Sequence, residues 1–167
     1  MSRYHPIPVV IDASVFADYY FLYPKRIERY ERARRVLDKI SYLGLPVYEP
    51  FLLEIELKAV LVRRLEPKLV IEIVSKTLDH VNIVEENEIH DLASEIALAT
   101  GCRAVDSYYI ATTKKFNVVL ITNDKVMKLN ASKMNVKAYY LLEDTDYEEL
   151  LRLIESLSPT SREDSIM

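Results

Sequence analysis

The chain has 167 residues, with 22 Lys or Arg, 26 Asp or Glu, a formal net charge of −4 and half its residues apolar, the composition of one globular domain. Its only glycines are Gly44 and Gly101, against about 12 at average usage, so neither G-x-G-x-x-G nor G-x-x-x-x-G-K-[ST] can be written and the usual glycine cradles for nucleotide phosphates are excluded. One cysteine, Cys102, excludes an intrachain disulfide and a Cys-rich zinc site, and His5, His80 and His90 have no H-x-x-x-H spacing, so a metal here has to be a hard cation bound by oxygen.

In chain order, Pro8-Val-Val-Ile-Asp12 reads as a buried strand that ends on a carboxylate. Ser14 is the expected cap of a helix over 15–22, stopped by Pro24. A second helix is expected over 25–43, with Ala33, Val36, Leu37 and Ile40 on one face and Gly44 at its end. Pro46-Val-Tyr-Glu49 reads as the second strand. Pro50 is expected to open a helix to about Arg64, and Pro67 another through Leu78. A third strand falls on 81–84. Asn87 is the expected cap of a helix to Thr100, where Ile89, Leu92, Ala93 and Ile96 keep the 3.6 period. Helix over 105–115, strand over 118–122, short helix over 125–130, strand over 136–142 and helix over 146–157 complete the series. The strands are nearly all apolar, the pattern of a parallel sheet covered on both faces. The expected fold is therefore a three-layer α/β/α sandwich with five parallel strands. Residues 1–157 make the single domain, and 158–167 a disordered polar tail.

No apolar run approaches the roughly 20 residues of a membrane span, and residues 1–8 hold no apolar core of signal-peptide length, so a cytoplasmic protein without membrane contact is expected. The acid excess is local. Residues 143–167 hold eight acids and two bases, leaving 18 acids and 20 bases in the rest of the chain.

In open α/β sheets, ligands bind beyond the carboxyl ends of the strands, where strand order reverses. Asp12 follows strand one and Asp124 follows strand four; Asp106 opens the helix leading into strand four, and Glu56 lies in the helix after strand two. Acids gathered there repel one another unless a cation sits among them. Convergent carboxylates without histidine describe a Mg²⁺ or Mn²⁺ site. Each acid alone also has a plain structural reading, as a helix cap, a turn residue or a solvated helix position, and spacing does not choose between the two.

Taken together, Val-Ile-Asp12-Ala-Ser14-Val, Pro50-Phe-Leu-Leu-Glu-Ile-Glu56, Ala-Val-Asp106-Ser-Tyr-Tyr-Ile-Ala111 and Leu-Ile-Thr122-Asn-Asp124 resemble the successive signatures of PIN domains, above all the small prokaryotic VapC-type toxins. The resemblance covers about residues 8–142. It implies strand order 3-2-1-4-5, and a metal-dependent endoribonuclease whose catalytic and metal-binding acids are Asp12, Glu56, Asp106 and Asp124, with Ser14 and Thr122 positioning them. It also implies attack by a metal-activated water, products with 5′-phosphate and 3′-hydroxyl ends, a homodimer, and a small antitoxin that blocks the pocket. Ala59, Thr112 and Thr113 depart from the family's usual residues and leave the acid set untouched. Candidate cations for the RNA backbone are Arg26 and Arg29 in the basic stretch 25–39, Arg63 and Arg64 after the glutamate helix, and Lys114 and Lys115 at the end of the Asp106 helix. Stretch 25–39 reads equally as a solvated helix face. Two alternatives in the same family are a nuclease of RNA processing and a metal-free binding module.

Overall fold

The computed structural model describes residues 6–157; the tail expected over 158–167 lies outside them. Strand β1 (Val9–Ile11) leads into α1 (Ala13–Tyr20), a 3₁₀ turn (Pro24–Arg26) and α2 (Ile27–Tyr42). Then come β2 (Tyr48–Pro50), α3 (Leu53–Leu61), α4 (Pro67–Leu78), β3 (Asn82–Val84) and α5 (Glu86–Thr100). The described chain closes with α6 (Ala104–Phe116), β4 (Val119–Thr122), α7 (Lys125–Lys133), β5 (Ala138–Tyr140) and α8 (Asp144–Ser156). No described helix is long and apolar enough to cross a membrane.

All strand pairs are parallel, so every strand presents its carboxyl end to the same edge. The expected five-stranded sheet is corrected in one respect: β1-β4-β5 form one ladder and β2-β3 another. The two adjoin through a bridge between Val9 and Val47, where the Val9 N–H donates to the Pro46 carbonyl at 2.9 Å. The break has a local cause. The Ile11 N–H, which would carry the ladder onward, donates instead to the Glu49 carboxylate Oε1 at 2.8 Å. A buried side chain has replaced a main-chain acceptor, and the strand order is kept while the ladder stops.

Helices α1–α4 pack in succession against one another, α1 on α2 and α3 and α3 on α4, while α5 packs on α6 and α7 on β4 and β5; right-handed crossovers are the rule for such parallel connections. The apolar stripes face inward as their period predicts: Ala33, Val36 and Ile40 of α2 and Ile89, Ala93 and Ile96 of α5 are all buried. Local chemistry shifts several expected boundaries. Pro50 ends β2 rather than opening a helix, because the next N–H, of Phe51, donates to the Val84 carbonyl at 3.0 Å and keeps the chain on β3. Asp12, not Ser14, stands at the N-cap of α1. Glu85, not Asn87, caps α5, in a reciprocal capping box with Glu88.

Much of the basic stretch on α2 is committed to packing. Arg32 pairs with Glu28 and Asp144, donates to the Leu141 carbonyl at 2.8 Å and lies 4.7 Å from the centre of the Tyr147 ring, tying α2 to α8. Arg34 pairs with Asp38, and Lys39 with Glu155.

Candidate active site

The site is built outward from the β1–β4 pair. Ile11 and Ile121 are in register, and the Asp12 N–H donates to the Ile121 carbonyl at 2.9 Å. Asp12 and Thr122 therefore leave the ladder side by side, and the Thr122 hydroxyl donates to Asp12 Oδ2 at 2.8 Å. The Ser14 hydroxyl donates to the same oxygen and, at 3.0 Å, accepts from the Asn123 N–H. Thr122 Oγ1 in turn accepts from the Asp124 N–H at 2.9 Å. Two hydroxyls thus fix one carboxylate and the turn after β4 together. Burial holds the Asp12 carboxyl above its ordinary range; the Ser14 and Thr122 bonds oppose that shift, and the charge of Asp106 adds to it.

Asp106 is the third residue of α6 and is 1 % exposed. Its two oxygens accept from a single guanidinium: Arg103 Nε reaches Oδ2 at 3.1 Å and Nη2 reaches Oδ1 at 2.9 Å. The same Nη2 donates to Asp124 Oδ2 at 2.9 Å. Asp124 also caps α7, its Oδ1 accepting from the N–H groups of Val126 and Met127 at 2.8 and 3.2 Å. One Asp124 oxygen thus caps α7 while the other accepts from Arg103.

Glu56 approaches from α3. Its Oε2 accepts from the buried Tyr109 hydroxyl at 2.6 Å. Tyr109 lies three residues beyond Asp106, on the same face of α6. Glu54, the competing acid on α3, is turned away and pairs with Lys58. Burial raises the Glu56 carboxyl to about 7; the charges of Asp12 and Asp106 add to the rise, and Tyr109 and Arg103 oppose it. Tyr109→Phe removes the bond that stabilises the Glu56 carboxylate, so the Glu56 value rises further. The acid limb of the activity profile is expected to move to higher pH by up to about one unit, read from kcat against pH for the two proteins.

Three contributors were not singled out in the sequence. Arg103 stands in an R-x-x-D spacing at the start of a helix, which is the available signal for an i,i+3 pair. Tyr109 lies inside the Asp106 motif, but its hydroxyl bond depends on α3. Glu49 was assigned to a strand, and a carboxylate in an otherwise apolar buried strand is itself unusual. It is 0 % exposed, its Oε2 has no hydrogen-bond partner among the described residues, and burial pushes its carboxyl well above the ordinary range, with the charges of Asp12 and Glu56 adding to the shift.

The RNA-facing candidates separate into two groups. Arg29 pairs with Asp18 at 3.0 Å, and Asp18 accepts from the Asn123 amide at 2.6 Å, so Arg29 is linked to the turn carrying Asp124. Arg26 is exposed in the 3₁₀ turn just before α2. Arg63 is exposed after α3, and Arg64 lies 4.4 Å over the Tyr23 ring, next to that turn. Lys114 and Lys115 are at the far end of α6 from Asp106, about 12 Å along its axis. There they bond the carbonyls of Met134 and Glu88, and they do not border the acids.

Among the described residues, no three of His, Cys, Asp and Glu are grouped as a ready metal cage. Arg103 holds both oxygens of Asp106 and one of Asp124, while hydroxyls hold Asp12 and Glu56. The donor set still suits a hard divalent cation. It is all carboxylate, it is concentrated at one sheet edge, and a guanidinium already stands in as its counter-charge. A cavity of about 500 Å³ lies elsewhere, among Tyr19, Tyr20, Leu37, Pro46, Thr77 and His80 beside the starts of β2 and β3.

This α/β architecture and acid-lined strand edge define a class, and comparison with known proteins gives it a family. The PIN domain family model matches residues 9–133, and the chain belongs to that family. PIN domains are in general nucleases that use divalent metal ions. Two solved structures share the fold. FitAB bound to an IR36 DNA fragment matches with TM-score 0.60 and 19% identity over 78% of this chain and 93% of that one. FitAcB from Neisseria gonorrhoeae matches with TM-score 0.61 and 20% identity over 78% of this chain and 95% of that one. No curated protein sequence matches.

Proposed function

We propose that this PIN domain is a Mg²⁺- or Mn²⁺-dependent endoribonuclease and the toxin of a VapBC-type pair. The observation that carries the catalytic part is the convergence of Asp12, Asp106, Asp124 and Glu56 on the carboxyl edge of the β1–β4 pair, around one guanidinium. In this reading Asp12 and Asp106 hold the ion directly, while Asp124 and Glu56 complete its surroundings or orient water. When bound, the divalent ion would polarise the scissile phosphate and lower the pKa of the attacking water.

The chain's own residues supply the rest. Ser14 and Thr122 keep Asp12 Oδ2 fixed, so the carboxylate does not have to be ordered when the ion and RNA arrive. Glu56, near 7, is poised to take up a proton at neutral pH. With Oε2 engaged by Tyr109, Oε1 is the atom left to receive the proton of the water. Arg26, Arg29, Arg63 and Arg64 surround the entry to α2 and are assigned to the RNA backbone, contacts that position without reading sequence.

The toxin role rests on the VapC-type motifs, and a protein partner has a surface to meet. Ile55, Val62 and Ile71 are exposed beside Ala59 and Pro67, in an apolar groove between α3 and α4. A homodimer and an antitoxin are the partners proposed, in the cytoplasm. The catalytic reading is tested with purified protein and single-stranded RNA: cleavage is expected in Mn²⁺ and none in EDTA. Equal cleavage in EDTA contradicts it.

A further inference from the structure

We propose that Arg103 is an exchangeable cation: it holds Asp106 and Asp124 in the metal-free protein, and passes to a phosphate of the RNA when a divalent ion takes those oxygens. The proposal rests on the metal-dependent reading above.

The geometry has three parts. Among the described residues, every hydrogen bond of this guanidinium goes to these two acids, three bonds between 2.9 and 3.1 Å. The oxygens it occupies are the ones a cation would need, so ion and guanidinium cannot both be seated there. The Arg103 side chain is 70 % exposed, whereas that of Asp106 is 1 % exposed. The guanidinium comes to the acids from the solvent side, on a stem rooted at the N-cap of α6. It can therefore leave without disturbing the buried core.

Charge then says where it goes. Four carboxylates face one guanidinium, and a divalent ion takes over its role with one charge more. The released head group stays tethered beside Asp106 and Asp124, at the strand edge assigned to the scissile phosphate. The planar fork that matches a carboxylate also matches two phosphate oxygens. One residue thus guards the acids from mutual repulsion before loading and binds substrate after it.

The test uses the full chain and Mn²⁺ alone as the first probe. Mn²⁺ is titrated calorimetrically into the wild-type, Arg103→Gln and Asp106→Asn proteins without RNA, and KM and kcat for a single-stranded RNA are then measured at saturating Mn²⁺ for the wild-type and Arg103→Gln proteins. Arg103→Gln is expected to bind Mn²⁺ about tenfold more tightly, because the competing charge-assisted bonds are gone. Its KM for RNA is expected to rise about tenfold, with kcat changed much less. Equal or weaker Mn²⁺ binding in Arg103→Gln, with binding in the wild type abolished by Asp106→Asn, overturns the exchange and leaves the metal site standing. An unchanged KM overturns the transfer to phosphate. Mn²⁺ binding in neither wild-type nor Arg103→Gln protein overturns the metal reading and this proposal with it.

Discussion

Asp106→Asn is expected to leave a folded protein whose Mn²⁺-dependent RNA cleavage falls by at least about a hundredfold. The substitution keeps the shape of the side chain and replaces a charged oxygen by an amide. Asp106 is buried, and among the described residues its oxygens accept only from Arg103. Losing that pair costs about 1–2 kcal/mol, too little to unfold a domain of this size. The loss at the reaction is far larger, because a hard cation prefers charged oxygen and Asp106 lies beside Asp12 and Glu56. The expected signature is a normal circular dichroism spectrum with a flat cleavage time course. Induced expression of the wild-type chain in a bacterial host should arrest growth, and that of Asp106→Asn should not. Full cleavage by the variant would remove Asp106 from the site.

Glu49 carries the second large effect, on stability. Glu49→Ala leaves the Ile11 N–H without the one acceptor it has among the described residues, and opens a cavity between β1 and β2. A loss of about 2–3 kcal/mol is expected. Glu49→Gln keeps an acceptor of the same shape and removes the ionisation. The pH dependence separates the two roles. The folded-state carboxyl lies well above its ordinary value of 4.5, so between the two values the folded chain binds more protons than the unfolded one. This group's contribution is therefore most favourable below about 4.5 and is lost as pH rises toward the folded value. Urea unfolding at a series of pH values should show wild-type stability declining over that window relative to Glu49→Gln. Parallel pH profiles for the two proteins would contradict the assignment.

These two residues mark how far the site can be read before folding. The acids at Asp12, Asp106 and Asp124 can be placed at one sheet edge because each adjoins a strand or helix boundary that the apolar pattern reveals, whereas Glu56 is singled out from Glu54 only by the resemblance to PIN signatures. The alternation of buried runs such as Val119–Thr122 with amphipathic helices is legible for the same reason: period and burial coincide. What escapes is whatever depends on the partner across a gap. Glu49 belongs to β2 by sequence, yet it acts on β1 and splits the ladder there. Arg103 looks like one basic residue among 22, until helix geometry lays it over Asp106 and the β4 turn brings Asp124 to meet it. Tyr109 reads as core, which it is, and only the approach of α3 turns its hydroxyl to use. Lys114 and Lys115 show the converse, a distance that the sequence does not reveal. Sequence proximity to Asp106 suggests a shared site, and the length of α6 carries them to its other end.

The central claim, a metal-dependent cut within an RNA chain by water, is tested most directly on a circular single-stranded RNA, which offers no end to an exonuclease. Incubated with the wild-type chain and Mn²⁺, the circle is expected to become linear molecules with a 5′-phosphate and a 3′-hydroxyl, and to stay closed in EDTA. A circle left intact in Mn²⁺, or opened equally well in EDTA, would contradict the account.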